Sequence, residues 1–185
     1  NRRIRASLLG DPLYAKFWWS RLLSQTAHGA ILYALLIIVT DLTDASIFTS
    51  IFVICAIVPA ILFGLPAGIS VDTLPRIPLM VCLNFLRVMF VMALIDSNMT
   101  LVGIFAVAMG LWTIHQFYAP AESALMASLV DKKLFPDAQS LSNLALSVAQ
   151  FFGLVVVAPI TLRFGSPSTL FAICGALWIA AAILV

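Results

Sequence analysis

Six continuous apolar runs, separated by short polar turns, organise the chain. They fall at Phe17 to Thr40, Ser46 to Ser70, Ile77 to Ile95, Thr100 to Ala121, Ala138 to Ile160 and Ser168 to Val185. About 20 apolar residues in a helix rise far enough to cross the hydrocarbon of a bilayer. Barrel strands of about 10 residues alternate polar and apolar faces, and these runs are apolar throughout, which excludes a barrel. The pattern predicts an all-α membrane protein. Residues 1–16 form a cytoplasmic or interfacial segment, and residues 17–185 form a bundle of six transmembrane helices. Because the connections are short, consecutive helices are expected to pack as antiparallel neighbours.

Composition agrees with that assignment: 63% apolar residues, 10% charged residues and a mean hydropathy of +1.11 lie outside the range of soluble domains. Net charge says little, but the placement of the bases sets an orientation. With the N-terminus cytoplasmic, Arg2, Arg3, Arg5, Lys16, Arg21, Arg76, Lys132 and Lys133 gather on the inner side. The outer turns hold Arg163 as their base, together with Asp41, Asp44 and Asp96. This is the positive-inside arrangement of a multi-pass protein of the cell's inner, or plasma, membrane. Tyr14, Trp18 and Trp19, beside Lys16 and Arg21, mark an interfacial lead into the first run, with no signal-peptide pattern before them. Cys55, Cys82 and Cys174 fall inside runs and are odd in number, so they predict no disulfide framework. Asn98 and Thr100 make a glycosylation sequon close to the membrane.

Polar residues inside the runs are the candidate chemistry, since hydrocarbon does not solvate them. In the fifth run Ser140, Asn143, Ser147 and Gln150 are spaced three, four and three apart, as one helical stripe. A water-lined cavity accounts for that stripe, and so does interhelical hydrogen bonding. In the first run Arg21, Ser24 or Gln25, and His28 form a matching stripe, with His28 at a depth similar to Gln150. His28 either couples protons to a substrate or is a neutral histidine bonded to a neighbouring helix. Arg87 lies near the middle of the third run with Asn84 one turn away, so it needs a substrate anion, an acid from another run or a wet cavity. His115, Tyr118 and Glu122 share one face near the cytoplasmic end of the fourth run, where Pro120 should break the helix and water could solvate Glu122. Ala60, Gly64 and Gly68 suit close helix packing, and Pro59 and Pro66 suit a bend in the second run. No HExxH, GxSxG, Walker A, GxGxxG or CxxC pattern occurs, so neither an enzyme nor a cofactor or metal is expected, and nothing points to nucleic acid.

The turn GLPAGISVDTLPR, Gly64 to Arg76, keeps an acid and an arginine between two membrane-length runs. Its Gly68, Asp72, Pro75 and Arg76, the six positive-inside runs and the later stretch APAESALMASLVDKKLFPDAQSLSNLALSVAQFFG resemble the N-terminal half of a major facilitator superfamily transporter. The likeness is greatest to bacterial drug, macrolide and siderophore exporters and covers about residues 14–165. It implies a six-helix half, with an inverted three-plus-three repeat, of a twelve-helix transporter working by alternating access. PAGISVDTLPRIP after the second run faintly echoes APITLRFGSPS after the fifth, as such a repeat requires. The resemblance further implies that Gly68 and Asp72, with Arg76 as the basic member, form a cytoplasmic gate. A small amphipathic substrate would be exported through a cavity lined by Gln25, His28, Asn143, Ser147 and Gln150. Arg87, His115 and Glu122 are secondary candidates, with the third and sixth helices as supports.

The chain departs from the family at several positions. Thr73 and Ile77 stand where bases are common, His28 where an acid is common, and Glu122 where an arginine is common. LVVVAP after Gly153 lacks the Gly-Pro-x-x-Gly-Gly of antiporters. These departures keep open a second class, a membrane scaffold or assembly factor that retains the fold without transporting. Asn1 is not an initiator methionine, and the sixth run stops at Val185 without an anchoring flank, so a C-terminal six-helix half is expected as the missing partner.

Overall fold

A computed structural model describes residues 10–43, 46–96 and 100–185, apart from the side chains of Ser46, Asp72 and Asp96. The expectations placed on Arg2, Arg3, Arg5, Asp44, Asn98 and the carboxylates of Asp72 and Asp96 therefore lie outside the described residues. The described elements are helices: α1 (Pro12–Leu42), α2 (Ser46–Thr73), α3 (Arg76–Asp96), α4 (Leu101–Leu129), α5 (Phe135–Phe164) and α6 (Pro167–Leu184). All six are long and apolar enough to cross a membrane, which makes this a multi-pass membrane protein. Ile57, Ile61, Leu65 and Ile69 on α2 are exposed, as are Val148, Phe152 and Ile160 on α5. Lipid solvates such faces as well as a protein core does.

Polar residues ahead of α1, α4 and α6 cap those helices. The Asp11 carboxylate accepts from the Leu13 backbone N–H at 2.8 Å and Pro12 occupies the first turn, so α1 starts before Phe17. Thr100 and Ser166 accept from the N–H groups of Gly103 and Thr169 at 3.2 and 3.3 Å. α4 continues through Pro120 to Leu129, contrary to the expected break. Proline deletes one N–H bond, but a helix in hydrocarbon that stopped there would expose several more unsatisfied groups. α2 likewise keeps Pro59 and Pro66 inside one helix.

Apart from α3 and α4, which pack together as expected, consecutive helices are not the principal neighbours. α1 packs on α5 and α6, α4 packs on α2 and α3, α3 packs on α6, and α1 crosses α4. α2 and α3, joined through Leu74 and Pro75, hardly touch along their length. A short turn fixes the antiparallel sense of a pair, but lateral partners are chosen by complementary faces.

The closest of those faces lies between α1 and α5. A Cβ placed on Gly29 would come within 3.1 Å of the Gln150 carbonyl oxygen, and one on Gly153 would meet the Thr26 carbonyl and lie 2.9 Å from the Ala30 nitrogen. At that point α5 widens into one π turn, Gly153–Val157, where the Ala158 N–H reaches the Gly153 carbonyl. Pro159 follows directly and has no N–H to close an ordinary α bond to Val155.

The close packing expected at Ala60, Gly64 and Gly68 is not formed among the described residues. Ala60 and Gly64 are exposed, and nothing lies within 4 Å of a Cβ built at Gly64 or Gly68. Gly64→Ala should therefore be neutral or stabilising by up to about 1 kcal/mol, the helix-propensity gain, in detergent unfolding experiments. A destabilisation would mean that this face packs against something.

Among the described residues, buried apolar side chains form two clusters. One contains Ile31, Leu35, Ile104, Leu111 and Phe171; the other contains Tyr14, Phe17, Met80, Tyr118 and Met126. Between them lies a buried polar layer.

Candidate functional site

α1 supplies that layer with Ser20, Arg21, Ser24, Gln25 and His28, all buried, because their spacing keeps them on the face turned toward α3, α4 and α6. α3 adds Asn84 and Arg87, α4 adds Tyr118, Glu122 and the half-buried His115, and α6 adds Trp178. The expected α1 stripe is therefore present, and Asn84 lies on the Arg87 face as its spacing implies.

Arg87 is the centre. Its Nη1 donates to Ser24 Oγ at 2.8 Å and to Asn84 Oδ1 at 3.4 Å, and Ser24 Oγ in turn donates to Asn84 Oδ1 at 3.3 Å. Its Nη2 lies 3.3 Å from His115 Nδ1. A guanidinium only donates, so His115 must accept there and carry its proton on Nε2. The guanidinium also sits 4.0 Å from the Tyr118 ring centre and 5.8 Å from that of Trp178. Trp178 is held in place by donating Nε1–H to the Ser24 carbonyl at 3.2 Å. Cation–π contact and neutral dipoles thus solvate Arg87, which has no carboxylate within ion-pair distance among the described residues.

The acid of the layer is engaged elsewhere. Glu122 Oε2 lies 3.6 Å from Arg21 Nη1 and accepts from Gln25 Nε2 at 3.5 Å. Glu122 is 2% exposed, so it is a buried ion-pair partner and not the water-solvated acid that its position near a helix end suggested. Among the described residues the layer thus holds two guanidinium groups and one carboxylate, which pairs with Arg21. Several buried polar atoms also have no hydrogen-bond partner among the described residues: Arg87 Nε, Arg21 Nε, His28 Nδ1, Asn84 Nδ2, Tyr118 Oη, Gln25 Oε1 and Glu122 Oε1.

His28 links the layer to a groove. Its ring stacks on His115 with centres 4.3 Å apart and planes within 10°. His28 also lines a groove of about 640 Å³ between α1, α2, α4 and α5. Tyr33, Phe52, Trp112, Phe151 and Leu154 make its apolar walls, and Ser147 and Gln150 join His28 as its polar members. The α5 stripe is exposed along its length, with Ser147 and Gln150 on the groove. Asn143 lies one turn before Ser147, accepts from Gln139 Nε2 at 3.0 Å and is not among the residues lining the groove.

The candidate residues thus divide into three sets. His28, Ser147 and Gln150 meet at the groove, whereas Gln25 lies behind it on Glu122. Arg87, His115 and Glu122, secondary in the sequence, are central to the layer, and α3 and α6 contribute to it directly instead of serving only as supports. Gly68 faces open space on α2, the Asp72 backbone lies in the last turn of that helix, and Arg76 is exposed at the start of α3. Trp178 and the groove aromatics Phe52 and Trp112 had no sequence signal, because an aromatic residue in an apolar run looks the same whether it meets lipid, core or a guanidinium. No family model matches the chain, and no curated protein or solved structure matches it.

Proposed function

We propose that the chain is the N-terminal six-helix half of a secondary active transporter of the major facilitator type, exporting a small amphipathic compound by alternating access. The observation that carries this reading is the groove: an apolar, drug-sized concavity between four helices, bordered by His28, Ser147 and Gln150 and backed by a buried charged layer. The packing pairs add support. Exchanging each helix with the one three places along converts the α1–α5 and α1–α6 contacts into the α4–α2 and α4–α3 contacts, and leaves α1–α4 and α3–α6 unchanged. A three-plus-three repeat requires that symmetry of the main contacts, and the lighter α1–α2 and α5–α6 contacts do not share it. In this reading the N-terminus is cytoplasmic, Gly68, Asp72 and Arg76 bias the inner gate, and a second six-helix half closes the groove into a chamber.

Cells expressing the protein should accumulate less of an exported amphipathic dye than cells lacking it. Asp72→Asn, at the gate, and Gln150→Leu, at the groove, should each restore accumulation at least about tenfold toward the level without the protein, as loss of a polar contact that a site depends on typically does. Unchanged flux of every compound in both variants would favour the scaffold.

A further inference from the structure

The charge balance of the buried layer bears on the kind of substrate the groove would accept. Arg21 and Glu122 form an ion pair, whereas Arg87 is wholly buried and bonded to Ser24, Asn84 and His115, all neutral acceptors. Its positive charge is therefore met by dipoles and ring faces, with no carboxylate within ion-pair distance among the described residues, and two guanidinium groups against one carboxylate leave the layer with an excess positive charge. The nearest route from that charge to the groove runs through the His115–His28 stack, and His28 borders the groove opposite an apolar wall. Low-polarity surroundings extend the reach of a buried charge. An anion beside His28 gains from it, and a cation is repelled.

We propose that the groove binds an amphipathic organic anion, its carboxylate against His28, Ser147 and Gln150 and its apolar body along Phe52, Trp112 and Phe151, selected by the charge of Arg87. Arg87 is then a positioning residue that acts through the imidazole pair. The proposal names the substrate class of the transport site and so rests on that reading of the groove.

The test compares pyrenebutyrate with its uncharged amide, pyrenebutyramide, binding to the protein in phosphatidylcholine nanodiscs, with empty nanodiscs subtracted. The acid should bind about tenfold more tightly than the amide, the preference expected from one charge-assisted contact. Arg87→Gln should abolish the preference and Arg87→Lys should retain it. His28→Phe keeps a ring in the stack, removes the imidazole nitrogens and should also collapse the preference, so the outcome holds even if Arg87→Gln does not fold. Equal binding of acid and amide, binding of neither, or a preference that survives His28→Phe would each overturn the proposal. Full displacement of the acid by added phosphatidylglycerol would assign the site to lipid headgroups and overturn it too. Flux of uncharged dyes without an acid preference would leave the transporter reading standing and remove this one; acid binding without any flux would do the reverse.

Discussion

Glu122→Leu is expected to lower the stability of the bundle by about 3–5 kcal/mol, because it leaves the Arg21 guanidinium buried without its counter-charge. Both partners are almost wholly enclosed, at 7% and 3% side-chain exposure, so water cannot take over the lost interaction. Replacing both, as Arg21→Met with Glu122→Leu, should recover most of the loss, since well-packed apolar pairs often match a buried ion pair. Recovery should stop about 1 kcal/mol short, the usual worth of a lost hydrogen bond, because Gln25 Nε2 loses its acceptor. Detergent unfolding of the two single variants and the double variant measures the coupling. A single variant as stable as the parent would mean that the pair is solvated.

Gly153→Ala should cost about 3 kcal/mol, at the upper end for overpacking. The added methyl would meet the Thr26 carbonyl and the Ala30 nitrogen, backbone atoms that can yield only if α1 and α5 separate. Gly110→Ala makes a contact equally close on paper, but with the Phe90 ring, which can turn aside. That change should cost only about 1 kcal/mol. The same unfolding measurement ranks the two, and equal losses would deny that the α1–α5 seam is the rigid one.

Which residues were legible from sequence follows from what kind of information each carries. Six helices could be read because a membrane demands an uninterrupted apolar length, a signal held within each segment. Arg21, Ser24, Gln25 and His28 could be read because helical spacing alone puts them on one face. Lateral order could not: two residues between α2 and α3 imply adjacency, yet α2 lies on α4, a choice made by faces on different helices. Glu122 was misplaced for a related reason. Its position near a helix end says solvent, and only the approach of α1 says buried pair. Spacing points to a close glycine seam at Gly64 and Gly68, but the seam occurs at Gly29 and Gly153, where the crossing backbone, invisible in either helix alone, requires it.

Water access to the groove decides between a transport chamber and a lipid-facing cleft, and cysteine labelling measures it. With Cys55, Cys82 and Cys174 replaced, Ser147→Cys, Gln150→Cys and Val148→Cys would each be treated in membranes with a charged methanethiosulfonate, which modifies only thiols that water reaches. Val148 is exposed but lines the apolar cleft of α1, α5 and α6 on the far side from the groove. Fast modification at positions 147 and 150 with protection at 148 is the result expected of a chamber. Protection at all three would place Ser147 and Gln150 in lipid and contradict the account.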